Sequence, residues 1–111
     1  MSGATRHWWA MRLSSALLVP LTLWLIWAGV SLAGTGHDAA SAFMARPFNG
    51  LAAVLLAAVA LYHSLLGIGE IIEDYVPGAG LASALLWITR LGCAAGFVAV
   101  LYAVYTLLAG A

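Results

Sequence analysis

The sequence predicts an all-α membrane protein, a bundle of three transmembrane helices, and three observations carry that expectation. Of 111 residues, 65% are hydrophobic and 7% are charged, whereas a soluble domain carries about 25% charged residues. Too little polar surface exists to cover a water-facing globule, so lipid must be the solvent for most of the chain. The charges also fall in clusters that leave three runs free of Asp, Glu, Lys and Arg: Leu13–Gly36, Pro47–Gly69 and Leu91–Ala111. Each reaches the ~20 residues that a helix rising ~1.5 Å per residue needs to cross ~30 Å of hydrocarbon. A bilayer admits only helices or closed barrels, and three runs of this length exclude a barrel.

Taken in order, residues 1–12 form a short amphipathic lead-in, with Trp8 and Trp9 where an interfacial aromatic belt would sit. The first span is expected over about 12–33. Pro20 lies inside it and should kink the helix locally unless neighbouring helices satisfy the freed carbonyl. Arg6 and Arg12 before an apolar run that ends Ser31-Leu32-Ala33-Gly34 also resemble a secretory signal. That run is about twenty residues, longer than the ~7–15 of a signal core, so the segment is expected to be retained. Gly34 to Asp38 opens the first loop, and Pro47, a residue favoured in a first helical turn, closes it. The second span is expected over about 47–72. Pro77-Gly78-Ala79-Gly80 breaks the chain, and the third span follows over about 81–108. No repeat or low-complexity tract divides residues 1–111, which read as one transmembrane domain.

Three spans put the N-terminus and the second loop on one side of the membrane. Arg6, Arg12 and Arg90 belong to that side and Arg46 to the other, so the positive-inside rule places the N-terminus in the cytoplasm. The net charge is zero, with no lysine and four arginines, so no basic patch for nucleic acid exists. Cys93 stands alone, which excludes an intrachain disulfide and a cysteine cluster; it reads as a small buried apolar residue.

The residue with most chemical promise is His63, inside the second uncharged run and seven residues before the nearest acid, Glu70. Ionisable groups at membrane depth are costly and face a bundle interior, a cavity or a cofactor. A neutral imidazole is a good axial ligand for haem iron, and it can equally make an interhelical hydrogen bond. At ~100° per residue, Gly67, Glu70 and Asp74 follow His63 along one helix face. Gly67 leaves room for a flat macrocycle or for close helix packing. Asp74 stands about 16 Å further along the axis, a spacing that suits a cofactor at depth and a polar site at the surface.

That polar site would be the cluster Glu70-Ile71-Ile72-Glu73-Asp74-Tyr75. Acids near a helix C-terminus oppose its dipole, an arrangement that asks for a purpose. A tyrosine hydroxyl can donate to a quinone carbonyl and a nearby carboxylate can orient or deliver protons. The plain reading is a solvated loop with an interfacial tyrosine. Arg12 and Arg90 can snorkel to lipid phosphates, or pair with Glu73 and Asp74 or with haem propionates. His7 is a further polar candidate at that surface. His37, beside Asp38 in the opposite loop, reads as solvated.

His63-Ser64-x-x-Gly67 followed by Glu73-Asp74-Tyr75, together with His7-Trp8-Trp9-x-x-Arg12-x-Ser14-x-Ala16, resembles the succinate dehydrogenase hydrophobic membrane anchor subunit, the small cytochrome b subunit of complex II. Length, three spans and motif order agree over nearly the whole chain. The resemblance implies a fumarate reductase/succinate dehydrogenase anchor-like bundle in the bacterial inner (cytoplasmic) membrane. It implies that His63 is one axial ligand to the iron of haem b, with the other ligand from a cytochrome b556-type partner subunit. It implies that Tyr75 binds ubiquinone with Asp74 beside it, and that Arg12, and more weakly His7, lie near the haem propionates. The chain would anchor a flavoprotein subunit and an iron–sulfur subunit, and electrons from succinate would pass to quinone in the tricarboxylic acid cycle and respiratory chain. The chain alone would not be active. Bacterial relatives often carry glutamine before the arginine, where this chain has Met11. The Ser-x-x-His-Arg-x-Thr-Gly-like run of the larger cytochrome subunit does not occur, which favours the smaller anchor.

The need for a partner also follows from the residues. One histidine within a span supplies one protein ligand, whereas low-spin b-type haem usually takes two. Three other readings compete: a fumarate reductase anchor, a haem-free interaction protein tolerant of His63→Ala, and a small transporter using Glu70 or Asp74. A transporter usually sets its acid well inside a span, whereas these acids gather at an end.

Overall fold

The computed structural model describes residues 2–110. The order is α1 (Gly3–Leu32), α2 (His37–Met44), α3 (Pro47–Tyr75) and α4 (Ala79–Leu108), with no strand among the described residues. The three long helices are each long and apolar enough to cross a membrane. Met1 and Ala111, which bound the expected single domain, lie outside the described residues.

The helix ends depart from the expected ones for local reasons. α1 begins at Gly3, well ahead of Arg12, because the Ser2 side chain accepts from the Thr5 backbone N–H and caps it. The amphipathic lead-in is therefore the first turns of the spanning helix. α1 continues through the exposed Pro20 and stops where Gly34 turns to φ +79°, a conformation that favours glycine. The first loop holds α2, whose last turn is tied to α3 by the buried Asn49, donating to the Phe43 carbonyl at 3.0 Å. Trp27 of α1 meets Phe43 of α2 with ring centroids 5.6 Å apart. α3 starts on Pro47, as expected, and runs on to Tyr75. Gly78, at φ +87°, turns the chain into α4.

α3 is central, packing against α1, α2 and α4. Gly50 allows the tightest approach: a Cβ there would stand 3.1 Å from both the Met44 carbonyl oxygen and Val104 Cγ1. Further along, a Cβ at Gly96 would rest 3.8 Å from Leu61, and one at Gly69 would rest 3.7 Å from Leu86. Small residues thus let α3 and α4 lie side by side.

The bundle is 49 Å long and 26 × 25 Å across. Its buried apolar residues are Leu21, Ala28, Val59, Ile72 and Val104, while leucines, valines and aromatic rings cover its outside. A soluble protein could not expose such a surface, so this one is built to face a membrane.

Candidate functional site

α1 and α3 run antiparallel, and two side-chain contacts two helical turns apart fasten them: Ser14 to His63 and His7 to Glu70. The pairing brings together residues far apart in sequence that the helix-face reading of α3 alone could not join.

His63 sits half-buried in α3 with Nδ1 2.8 Å from the hydroxyl of Ser14, which is itself buried. The Ser14 hydroxyl donates to the Met11 carbonyl at 3.0 Å. Nε2 of His63 has no hydrogen-bond partner among the described residues, yet Trp24 Nε1 is the only buried side-chain nitrogen or oxygen left unpartnered there. Nε2 therefore keeps access to the outside of the bundle. An apolar groove of about 380 Å³ lies beside the pair, between α1 and α3, lined by Ala10, Leu13, Ser14, Leu17, Ala58, Val59 and Tyr62. One turn past His63, a Cβ on Gly67 would meet nothing within 4 Å. Close packing among the described residues does not account for Gly67, nor for Gly29 or Gly92 in the other spans, and the space beside it is open.

Towards the end of α3, His7, Glu70, Glu73 and Arg90 line a polar pocket of about 200 Å³ shared by α1, α3 and α4. His7 Nε2 pairs with the Glu70 carboxylate, the one side-chain ion contact among the described residues. The imidazole stands where an acid would otherwise oppose the helix dipole unaided. Arg12 lies over the Trp8 ring at 4.9 Å and Arg90 over Trp87 at 5.2 Å, and neither makes an ion pair with Glu73 or Asp74. Trp8 and Trp9 are half-exposed and meet edge to face at 4.9 Å. Asp74 is exposed, and Tyr75, 80% exposed, is the most open large hydrophobic side chain among the described residues. Both stand exposed at the end of α3 with no side-chain hydrogen-bond partner among the described residues. His37, at the far end of the bundle, is exposed and lies 3.3 Å from the Ser41 hydroxyl.

Among the described residues no three His, Cys, Asp or Glu side chains gather around a possible metal site. The donor set at depth is a single imidazole whose Nε2 is unpartnered among the described residues. Such a set could hold a haem through His63 only with a further ligand from outside this chain. Sequence reading missed the part of Ser14. Its signal was a hydroxyl in an uncharged span, but nothing in the sequence says which residue it faces.

Comparison with known proteins agrees with this architecture. The family described as succinate dehydrogenase/fumarate reductase transmembrane subunit matches residues 2–104. The succinate dehydrogenase hydrophobic membrane anchor subunit of Rickettsia felis is 28% identical over 104 residues, covering 94% of this chain and 87% of the relative. That of Rickettsia typhi is 30% identical over 104 residues, covering 94% and 82%. That of Paracoccus denitrificans is 29% identical over 90 residues, covering 81% and 70%. No solved structure matches. With three spanning helices and a match over nearly its whole length, the chain belongs to the succinate dehydrogenase/fumarate reductase transmembrane subunit family.

Proposed function

We propose that this chain is the hydrophobic membrane anchor subunit of a bacterial succinate dehydrogenase, contributing one axial ligand to haem b and part of a ubiquinone site. The observation that carries the reading is His63: an imidazole in the middle of a spanning helix, with one nitrogen engaged by Ser14 and the other unpartnered and accessible. The names of the relatives support an anchor role, and in this reading a flavoprotein, an iron–sulfur subunit and a cytochrome b556-type subunit are the partners.

In this reading a haem, when bound, would supply one-electron redox chemistry. The chain's own residues do the rest. His63 offers the Nε2 lone pair to iron, and Gly67 leaves the macrocycle room one turn away. Arg12, stacked over Trp8 near the membrane surface, offers its fork of donors to the propionates, with His7 a weaker second because Glu70 already engages it. Tyr75 donates its hydroxyl to a quinone carbonyl, and Asp74 beside it orients or relays the protons that reduction consumes. Tyr75 is so exposed that the partner subunits must wall the quinone pocket. The N-terminus, the second loop and three of the four arginines lie on the cytoplasmic side, where the dehydrogenase would dock.

The test is affinity purification of the tagged chain from its own membranes in mild detergent. The expected result is three further polypeptides, flavin, and a b-type absorbance that succinate reduces. Recovery of the chain without flavin and without haem would overturn the proposal.

A further inference from the structure

We propose that Ser14 is a positioning residue that fixes His63 in its iron-binding tautomer; this rests on the reading of His63 as a haem ligand. A serine hydroxyl has one proton, and Ser14 has two partners, the Met11 carbonyl at 3.0 Å and His63 Nδ1 at 2.8 Å. The carbonyl can only accept, so the hydroxyl proton points to it. The oxygen then turns a lone pair to Nδ1, which must carry the imidazole proton. The reverse arrangement would leave two oxygens 3.0 Å apart with no proton between them. It would also put the proton on Nε2, where it blocks coordination. The arrangement that satisfies all three groups therefore leaves Nε2 with its lone pair, unpartnered among the described residues and not sealed inside the bundle.

Ser14 is buried, with 4% of its surface exposed, so water cannot readily replace its hydroxyl. Anchoring Nδ1 also fixes the plane of the ring, which must be set before a partner's ligand can share the same iron. Accepting from Nδ1–H makes the imidazole a stronger donor and favours ferric over ferrous iron; losing such a partner typically costs 10–100-fold in metal affinity.

The experiment compares Ser14→Ala, Ser14→Thr and His63→Ala in the intact, co-expressed complex. Two quantities are read: the rate of haem transfer to an excess of apomyoglobin, and the midpoint potential of the b haem. Ser14→Ala should release haem about tenfold faster or more and move the potential positive. Ser14→Thr, which keeps the hydroxyl, should restore both. A merely structural role would not move the potential in one direction and return it with Thr. Should Ser14→Ala fail to assemble, Ser14→Cys keeps the volume with a poor acceptor and should shift the potential the same way. Unchanged release and potential in Ser14→Ala or Ser14→Cys, with His63→Ala losing its band, would overturn the part given to Ser14 alone. An unchanged band in His63→Ala would overturn the ligand reading beneath it.

Discussion

A polar ring inside hydrocarbon has to be satisfied by a neighbour, and His63 meets that demand with one nitrogen only. The other nitrogen and the empty space beside Gly67 make chemical sense when a cofactor arrives from outside. Gly67→Leu should therefore leave the chain's own helix packing unchanged but lower haem occupancy, read as the haem-to-flavin ratio of the purified complex. A normal ratio would remove Gly67 from the site. Tyr75 makes a different kind of claim, because its hydroxyl has no partner in this chain. Tyr75→Phe should slow quinone reduction by about tenfold, the worth of one hydrogen bond of about 1.4 kcal/mol, and leave electron transfer to a soluble dye acceptor unchanged. Equal loss in both assays would indicate damaged assembly. His63 was legible as a candidate because ionisable residues are rare inside these runs, and Asp74 and Tyr75 because they stand in the acidic cluster just past the second run. Ser14 was not, because its meaning comes from a helix 49 positions away.

Between elements, the α3–α4 seam and the α1–α3 seam differ in character. The first depends on close approach at Gly50, where a Cβ would press at 3.1 Å on Met44 and Val104 and a larger side chain would force them apart. Gly50→Val should cost about 1–3 kcal/mol through overpacking of the corner formed by α2, α3 and α4, seen as a lower midpoint of thermal inactivation of the complex. The second is fastened partly by His7 and Glu70, whose side chains are 37% and 48% exposed. A pair so open to solvent contributes about 1 kcal/mol or less, so Glu70→Gln should barely move the same midpoint. The three spans were legible because hydropathy and charge placement are local properties of the sequence. The early start of α1 was hidden by Arg6, His7 and Arg12, which read as a lead-in, although a Ser2 cap and good helix formers carry the helix through them. α2 was hidden because a helix of eight residues has too little periodicity to announce itself, and its hold on α3 through Asn49 is a tertiary contact.

At the scale of the whole molecule, few side chains are buried and the outside is covered with large apolar groups. Such a bundle gains stability from its surroundings in the membrane, and the proposed haem would add a partner's helices to them. The chain produced without its partners should show no low-spin b-type spectrum, since it offers one imidazole at depth where two are needed. The most direct test of the account is the reduced-minus-oxidised absorbance of the intact complex carrying His63→Ala, normalised to flavin. The account expects the b-type band to be lost or shifted while flavin and all partner subunits are retained. A band of the same position and height, at full subunit occupancy, would contradict it.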